Sequence, residues 1–282
     1  MKIGVNTWVW VSPFSTDSFG LIHKIRDYGF DVIEIAVDDP EIIDLAKFRR
    51  MLKDTGLSVT ICGAFGPQRD ISNEDENLRK IGKEYIIKCV RMAEYLGCNL
   101  FSGPVYSAVG KTRMVPAEQK KREWEWCVEN LREIGRIAAD CGVTIGVEPL
   151  NRFESDMINL VDQAVELIKD VGSPVYKVHI DTFHSNIEEK SIPETVRKLG
   201  KGMLCHLHAC ENDRGTPGTG HMDWPGIRDA LREIGYDGAA VIESFTPGAV
   251  EIAKAASIWR PLAPSQDRLA KEGGAFLKNL FK

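Results

Sequence analysis

The sequence lacks the marks of several protein classes. It has seven cysteines in 282 residues but no Cys-x-x-Cys pair, and their odd number argues against a disulfide framework or a zinc ribbon. Its 36 lysines and arginines are outnumbered by 41 aspartates and glutamates, which gives a net charge of −5. No electrostatic footprint for nucleic acid or for an anionic membrane is therefore present. We predict a protein with free thiols in the cytoplasm and a small-molecule partner.

Targeting segments and linkers are also missing. The first residues, Met1–Val5, enter a strand pattern without an apolar signal region, and no apolar run is long enough to span a bilayer. No Gly-x-Gly-x-x-Gly motif opens a helix after the first strand, which argues against a dinucleotide-binding fold. No linker rich in proline, glycine or serine divides the chain. We predict one domain over residues 1–282.

Short apolar strands alternate with longer helical patterns along the whole chain. The eight predicted strands are Ile3–Trp8, Asp31–Val37, Ser58–Gly63, Asn99–Gly103, Thr144–Glu148, Tyr176–Asp181, Met203–Ala209 and Ala239–Ser244. The predicted helices are Thr16–Tyr28, Pro40–Asp54, Asn73–Leu96, Pro116–Asp140, Leu160–Asp170, Ser191–Leu199, Trp224–Ile234 and a C-terminal helix. Helices often stop at a glycine suited to a left-handed cap: Gly29, Gly56, Gly97, Gly142, Gly172, Gly200 and Gly235. Eight such units predict an α/β fold, a single closed (β/α)₈ barrel with a C-terminal helix.

Four successive strands end in a residue that can bind a metal. These residues are Glu148, Asp181, His208 and Glu243, and all four share the parity that points into the barrel. Charged groups that converge inside a barrel mouth repel one another and are poorly solvated, so a divalent cation would stabilise them. Three carboxylates and one imidazole favour Mn²⁺, Mg²⁺ or Co²⁺ over a structural zinc ion.

Other polar and aromatic residues follow the strands on loops at the same end of the barrel. Glu154, His184 and Arg214 lie where contacts to a small ligand are made. Trp8, Phe65 and Tyr106 are candidates for lining the pocket, alongside Trp10 and Arg69. His179, His206 and Glu34 have inward parity but lie deeper, and we interpret them as core groups or as partners of the ligands.

Several of these stretches resemble a known family. They are Val147–Glu154, His179–His184, His206–His208, Glu211–Gly215, Pro217–Gly220, Glu243–Phe245 and Ile258–Leu262. The chain resembles the xylose-isomerase-like sugar phosphate isomerases and epimerases, and within them the ketose 3-epimerases that act on D-tagatose and D-psicose (D-allulose). The resemblance implies an isomerase with Glu148, Asp181, His208 and Glu243 as ligands of a divalent metal, most often manganese. It also implies a homodimer or homotetramer.

The same resemblance assigns roles to individual residues. It implies that Glu148 and Glu243 are the catalytic acid and base, and that Glu154, His184 and Arg214 hold the O1–O2 end of the sugar. We expect the two glutamates to move a proton at C3 of a free ketose, through an enediolate that the metal stabilises. Substrates of the D-tagatose, D-psicose, D-fructose or L-ribulose type fit this chemistry.

Other functions remain open from the sequence. The same barrel supports aldose–ketose isomerases, hydroxypyruvate isomerase and inosose dehydratase. A metal-dependent DNA-repair endonuclease is a different class, against which the acidic balance and the single ligand quartet argue. A non-catalytic sugar-binding barrel gives no reason for two inward glutamates at one metal site.

Overall fold

Eight parallel strands close into a barrel in chain order in a computed structural model that describes residues 1–282. The strands are β1 (Lys2–Asn6), β2 (Val32–Val37), β3 (Ser58–Gly63), β4 (Leu100–Gly103), β5 (Thr144–Val147), β6 (Tyr176–Asp181), β7 (Leu204–His208) and β8 (Ala239–Ile242). The first and last strands pair, with Gly4 beside Val241. The predicted (β/α)₈ barrel is confirmed.

Ten α-helices accompany the strands. They are α1 (Gly20–Asp27), α2 (Leu45–Thr55), α3 (Glu76–Leu96), α4 (Ala117–Asp140), α5 (Val161–Val171), α6 (Thr182–Glu188), α7 (Ile192–Leu199), α8 (Trp224–Glu233), α9 (Val250–Ala255) and α10 (Gln266–Leu280). Side chains of Asp44, Asp75, Ser191, Asp223 and Ser265 cap helix N-termini by accepting backbone N–H groups. None of the helices combines the length and the apolar character that a membrane crossing requires.

Alternation along the strands sorts side chains into two layers. In β2, Ile33, Ile35 and Val37 belong to the large apolar core, whereas Glu34 is fully buried among polar groups inside the barrel. A second, smaller apolar cluster comprises Trp8, Ala36, Cys62, Phe245, Ala253 and Ile258. It contains residues that line the barrel mouth and part of α9, so the polar interior is covered by an apolar wall on one side.

The structure differs from the sequence prediction in four places. Strand β1 ends at Asn6, and Trp8 lies in a 3₁₀ turn because the Asn6 side chain accepts the Trp8 backbone N–H at 2.9 Å. Helices α6 and α9 were not predicted. A left-handed helical cap was predicted at Gly200. The residue has a positive φ of 69° but a ψ of −173°, so it does not adopt that conformation.

Candidate active site

The four predicted ligand residues meet at the carboxyl ends of β5 to β8. Asp181 and His208 end their strands and are paired in register, while Glu148 and Glu243 are the first residues after theirs. One potential ligand atom from each lies within 4.8 Å of the others. All four side chains are buried, with relative exposures of 4% or less. The fold therefore brings three carboxyl groups and one imidazole into one small volume.

The surroundings of Glu148 and Glu243 affect the pKa values of the two carboxyl groups differently. Burial raises the pKa of Glu148 well above its usual value, and neighbouring Glu243 and Asp181 raise it further against the opposing effect of His208. Burial also acts to raise the pKa of Glu243, but His208 and Arg214 outweigh it and the pKa is lowered. The protein groups around the two glutamates therefore shift their pKa values in opposite directions.

His208 presents one free ring nitrogen to the carboxylates. Its Nε2 is hydrogen-bonded to Oε1 of Glu34 at 2.6 Å. Its Nδ1 has no hydrogen-bond partner, although it lies 3.3 Å from Oε1 of Glu243 and 3.9 Å from oxygens of Glu148 and Asp181. A buried nitrogen without a partner, facing three carboxyl groups, fits a divalent cation with oxygen and imidazole ligands.

Glu34 sets the orientation of the imidazoles below the cluster. Its carboxylate is fully buried and bonds Nε2 of both His206 (2.7 Å) and His208 (2.6 Å). It also accepts from Nδ2 of Asn6 and from Oγ1 of Thr60, each at 2.9 Å. A carboxylate behind a ligating histidine fixes the ring and raises its basicity. The sequence indicated Glu34 through its inward parity, whereas Asn6 and Thr60 carried no signal.

His179 lies in the same interior layer. It is fully buried, and its ring lies 4.2 Å from that of His208 between centroids. Burial and the neighbouring His208 and His206 hold its pKa well below the usual value, so the ring is neutral. It therefore packs beneath the cluster, as expected because it lies two residues before Asp181, at the end of β6.

A cavity of about 520 Å³ opens directly above the cluster. Glu148 and Glu243 line it, whereas Asp181 and His208 lie beneath its surface. Six of the predicted pocket residues line it: Trp8, Phe65, Arg69, Glu154, His184 and Arg214. Trp10 does not. The two glutamates are thus the members of the cluster that a molecule in the cavity can touch.

Arg214 links the cluster to the cavity. Its Nη1 donates to Oδ2 of Asp181 and to Oε2 of Glu243, each at 2.6 Å, and its guanidinium lies 4.3 Å from the centre of the Phe183 ring. Its backbone has a φ of 63°, a left-handed conformation that non-glycine residues rarely adopt.

His184 and Glu154 are held by one residue that the sequence did not single out. The backbone N–H of Asn151 donates to Nδ1 of His184 at 3.1 Å, and the Asn151 side chain donates to Oε1 of Glu154 at 2.9 Å. Burial lowers the pKa of His184 to about 3, so its ring is neutral. Two donors face this neutral ring, the Asn151 N–H at Nδ1 and Arg214 Nη2 at 3.0 Å from Nε2, and a neutral imidazole accepts at only one of its nitrogens.

Tyr106 lies outside the cavity, which corrects its predicted place in the pocket. It is fully buried, and its hydroxyl donates to the Ile158 carbonyl at 3.0 Å and accepts the Leu150 N–H at 3.2 Å. Its oxygen is therefore committed to the loop after β5. By contrast, Phe65 lines the cavity and packs edge-on against Tyr85 at 5.5 Å between ring centroids.

Comparison with known proteins identifies the family. A profile of the xylose isomerase-like TIM barrel family matches residues 22–280. The chain is 32% identical to the D-psicose 3-epimerase of Ruminiclostridium cellulolyticum, with 95% of this chain and 92% of that protein aligned. It is also 32% identical to the L-ribulose 3-epimerase of Mesorhizobium japonicum, over 98% and 93% of the two chains. The chain belongs to the ketose 3-epimerases of this barrel family.

Solved structures place this epimerase in the same group. A structure of L-ribulose 3-epimerase matches it with a TM-score of 0.93 and 31% identity, over 99% of this chain and 94% of that one. A D-psicose 3-epimerase from Clostridium cellulolyticum H10, solved with D-tagatose, matches with a TM-score of 0.90 and 30% identity over the full length of both chains. The similarity therefore covers the whole barrel, including the strand ends that carry the site.

Proposed function

We propose that this epimerase inverts C3 of free ketoses, with Glu148 and Glu243 as the acid and base. The observation that carries the proposal is that both glutamates line the cavity, whereas Asp181 and His208 lie beneath it. Strands β6 and β7 stand between β5 and β8, so the two glutamates approach a bound molecule from separate positions on the rim. The named activities of the relatives, on D-psicose and L-ribulose, support the substrate class.

The proposal includes a bound divalent cation. Mn²⁺ is the proposed ion, and Co²⁺ and Mg²⁺ are the alternatives. Glu148, Asp181, His208 and Glu243 would hold it. The chemistry that such an ion supplies is Lewis-acid polarisation of the C2 carbonyl, which acidifies C3–H. The unpartnered Nδ1 of His208 and the three surrounding carboxyl groups support this ligand set.

Inversion at carbon needs one group that removes a proton and another that delivers one to the opposite face. Glu148 and Glu243 both line the cavity, so either carboxyl group can remove a proton and the other can deliver one, depending on which epimer is bound. Glu243 takes the C3 proton of one epimer while Glu148 donates to the other face, and the roles exchange for the reverse reaction.

The remaining polar residues would orient the O1–O2 end of the ketose. The guanidinium of Arg214 can donate to O1 or O2 and stabilise negative charge there, and the His184 ring lies beside it on the cavity wall, with Nε2 3.0 Å from Nη2. Glu154 can accept a hydrogen bond from the O1 hydroxyl group, since its carboxyl group lines the cavity and is held by the Asn151 side chain.

Substitution of each glutamate tests the two-carboxyl mechanism. Purified enzyme with Mn²⁺ is incubated with D-fructose, D-tagatose, D-psicose or L-ribulose in D₂O, and products are resolved by chromatography and NMR. The native chain should form the C3 epimer with deuterium at C3. Glu148→Gln and Glu243→Gln should each lower epimerisation by about 10²–10⁴-fold, the usual contribution of a positioned acid or base.

Asp181→Asn is the matched control, because it also alters a proposed metal ligand but not a proton-transfer group. Metal content is measured for all three variants. At saturating Mn²⁺ we expect Asp181→Asn to recover activity that the two glutamate variants do not. Substantial epimerisation by either metal-loaded glutamate variant would exclude the two-carboxyl mechanism.

Assembly and location form a further part of the proposal. We expect a homodimer or homotetramer in the cytoplasm, as the resemblance to the ketose 3-epimerases implies. Light scattering of the purified chain measures the oligomeric state, and a monomer at micromolar concentration would contradict the prediction.

A further inference from the structure

A largely buried lysine lies outside the cavity, in the loop between β4 and α4. The Lys111 side chain is 7% exposed, and its Nζ lies 2.9 Å from Oδ2 of Asp70 and 3.7 Å from Oε2 of Glu123. The ammonium group also donates to the Ser72 hydroxyl at 2.9 Å. Asp70 and Ser72 belong to the loop after β3, whereas Glu123 belongs to α4. The side chain of Lys111 therefore fixes its own loop against two other elements.

The main chain beside this lysine holds the loop that carries Glu154. Gly110 donates its N–H to the Glu154 carbonyl at 2.7 Å, and the Lys111 carbonyl accepts the Asp156 N–H at 2.8 Å. These two bonds lie on either side of Ser155 and form a short parallel bridge between Lys111 and Ser155. The backbone of Glu154, whose side chain lines the cavity, is thus joined to the residue that the ammonium group fixes.

Other cations bind the loop after β5 directly but are more exposed. Lys120 and Arg113 pair with Asp156, and their side chains are 32% and 39% exposed. Ion pairs in contact with water contribute little to stability, because the solvent screens them. The pair between Lys111 and Asp70 is nearly dry, and breaking it would leave a buried carboxylate without its cation. We therefore expect the loss of Lys111 to displace these loops more than the loss of either surface cation.

We propose that Lys111 is a positioning residue, which places the Glu154 carboxyl group against the O1 hydroxyl of the ketose. The inference rests on the proposed C3-epimerase function, in which Glu154 accepts a hydrogen bond from O1. Lys111 does not line the cavity, so it acts on a bound sugar through other residues. Its effect should therefore be confined to sugars that carry the O1 hydroxyl.

The test compares D-fructose with 1-deoxy-D-fructose, which lacks that hydroxyl. kcat/KM for both sugars is measured with the Mn²⁺-loaded native chain and with Lys111→Met, which removes the charge and keeps a long unbranched side chain. The native chain should use D-fructose about 10- to 100-fold more efficiently, the range for a hydrogen bond to a charged group. Lys111→Met should lower the efficiency with D-fructose about tenfold, because a displaced contact group loses most of its effect, and change that with the 1-deoxy sugar by less than about twofold.

Asp70→Asn tests the same contact from the other side. It removes the charge that attracts the Lys111 ammonium group and keeps the shape of the side chain. It therefore provides the test if circular dichroism shows that Lys111→Met does not fold. The same selective loss with D-fructose is expected, at about threefold or more, since the hydrogen bond is no longer charge-assisted on both sides.

A double substitution separates positioning of Glu154 from a general effect on the barrel. In Glu154→Gln the proposed acceptor for O1 is already altered. Adding Lys111→Met to that variant should lower the efficiency with D-fructose by less than about twofold further, because two changes that act on one contact are not additive. A full tenfold further loss would contradict action through Glu154.

Lys83→Met is the matched control. Lys83 pairs with Glu133 at 2.7 Å between α3 and α4, and neither residue lines the cavity. This variant should use both sugars as the native chain does. Equal losses on both sugars in Lys111→Met and Asp70→Asn, no loss in either, or equal use of both sugars by the native chain would overturn the inference alone. Failure of the native chain to epimerise any ketose would overturn the proposed function, and the inference with it.

Discussion

A buried carboxylate stays charged where its oxygens accept hydrogen bonds from several donors. Glu34 is the clearest case, since its two oxygens bond two imidazoles, an amide and a hydroxyl while the side chain is fully buried. Although burial would raise the pKa of Glu34, His208 and His206 outweigh it and hold the pKa well below the usual value. Glu34 therefore stays negative and directs Nε2 of His208 toward itself, which leaves Nδ1 for the cluster.

Replacing Glu34 by glutamine should weaken metal binding more than it changes the fold. In glutamine one of the two carboxylate oxygens is replaced by an NH₂ group, which donates and cannot accept a hydrogen bond from an imidazole. The orientation and basicity of His208 would therefore be less well fixed. We expect Mn²⁺ affinity, measured by calorimetry, to fall about 10- to 100-fold, as for other partners of metal-ligating histidines.

Glu123→Gln is the matched control for that experiment. Glu123 is also a buried carboxylate, at 1% exposure, but it pairs with Arg113 and Lys111 away from the cluster. Its loss should affect stability and leave Mn²⁺ affinity unchanged. Equal Mn²⁺ affinities in the native chain and Glu34→Gln would show that the carboxylate does not tune His208.

The sequence predicted single residues well where strand periodicity determines direction. Glu148, Asp181, His208 and Glu243 are brought together because parallel strands place their carboxyl ends at one rim. Loop residues follow no such rule. Tyr106 turns its hydroxyl to the backbone of another loop, and Asn151 becomes the shared support of two cavity residues, both through contacts set only by the folded loops.

At the scale of elements, the loop between β7 and α8 is organised by one carboxylate. Glu211 is fully buried and accepts the backbone N–H groups of Gly218 (2.8 Å) and Met222 (3.2 Å) and the indole N–H of Trp224 (2.9 Å). The same loop carries Arg214 in its rare backbone conformation. A charged acceptor at the centre of the loop therefore holds its path and the position of the guanidinium.

This arrangement predicts a stability difference that depends on pH. Burial would raise the pKa of Glu211, but Trp224 and the backbone N–H groups outweigh it and lower the pKa below its usual value of 4.5. The native state then binds fewer protons than the unfolded state, so the stabilisation is complete above 4.5 and is lost as pH falls through the native pKa. Glu211→Gln should cost about 1–3 kcal/mol near neutral pH and show a shallower loss of stability in acid.

Urea unfolding at a series of pH values measures both effects. Glu129→Gln on α4 is the control, because Glu129 is exposed and its replacement should change the free energy of unfolding by less than about 0.5 kcal/mol. Parallel pH profiles for the native chain and Glu211→Gln would contradict a role for the Glu211 charge.

Elements that the sequence did not predict have local causes. Helix α6 starts directly after β6, with the Asp181 side chain accepting the Phe183 N–H at 2.7 Å, so no loop separates strand from helix. Its buried residues include Thr182, His184 and Ser185, which give no apolar periodicity. Helix α9 has six residues, too few for a periodic pattern to be distinguished.

At the scale of the whole molecule, barrel closure follows from eight repeats of one local pattern. The strand order could be predicted because each strand is followed by a helix and short connections return the chain to the neighbouring position. The cavity could not, because its walls combine residues that are far apart in the chain, such as Phe65 after β3 and Phe245 after β8, which the closed barrel brings to one rim. Closure also forces the carboxyl groups of β5, β6 and β8 together, so a bound cation should stabilise the entire barrel.

Removing the metal should therefore lower the melting temperature as well as abolish activity. An ion present at about 100 to 1,000 times its dissociation constant adds about 2.7–4.1 kcal/mol to a folded state that alone binds it. For a chain of this size we expect chelation to lower Tm by roughly 5–15 °C. Restoring Mn²⁺ should recover Tm and epimerisation together. Asp181→Asn should show a smaller Tm difference between chelated and loaded samples, whereas Asp162→Asn, at an exposed ion pair with Lys198, should retain the full difference. If chelated and loaded native chains melt at the same temperature, the four strand ends do not share a cation.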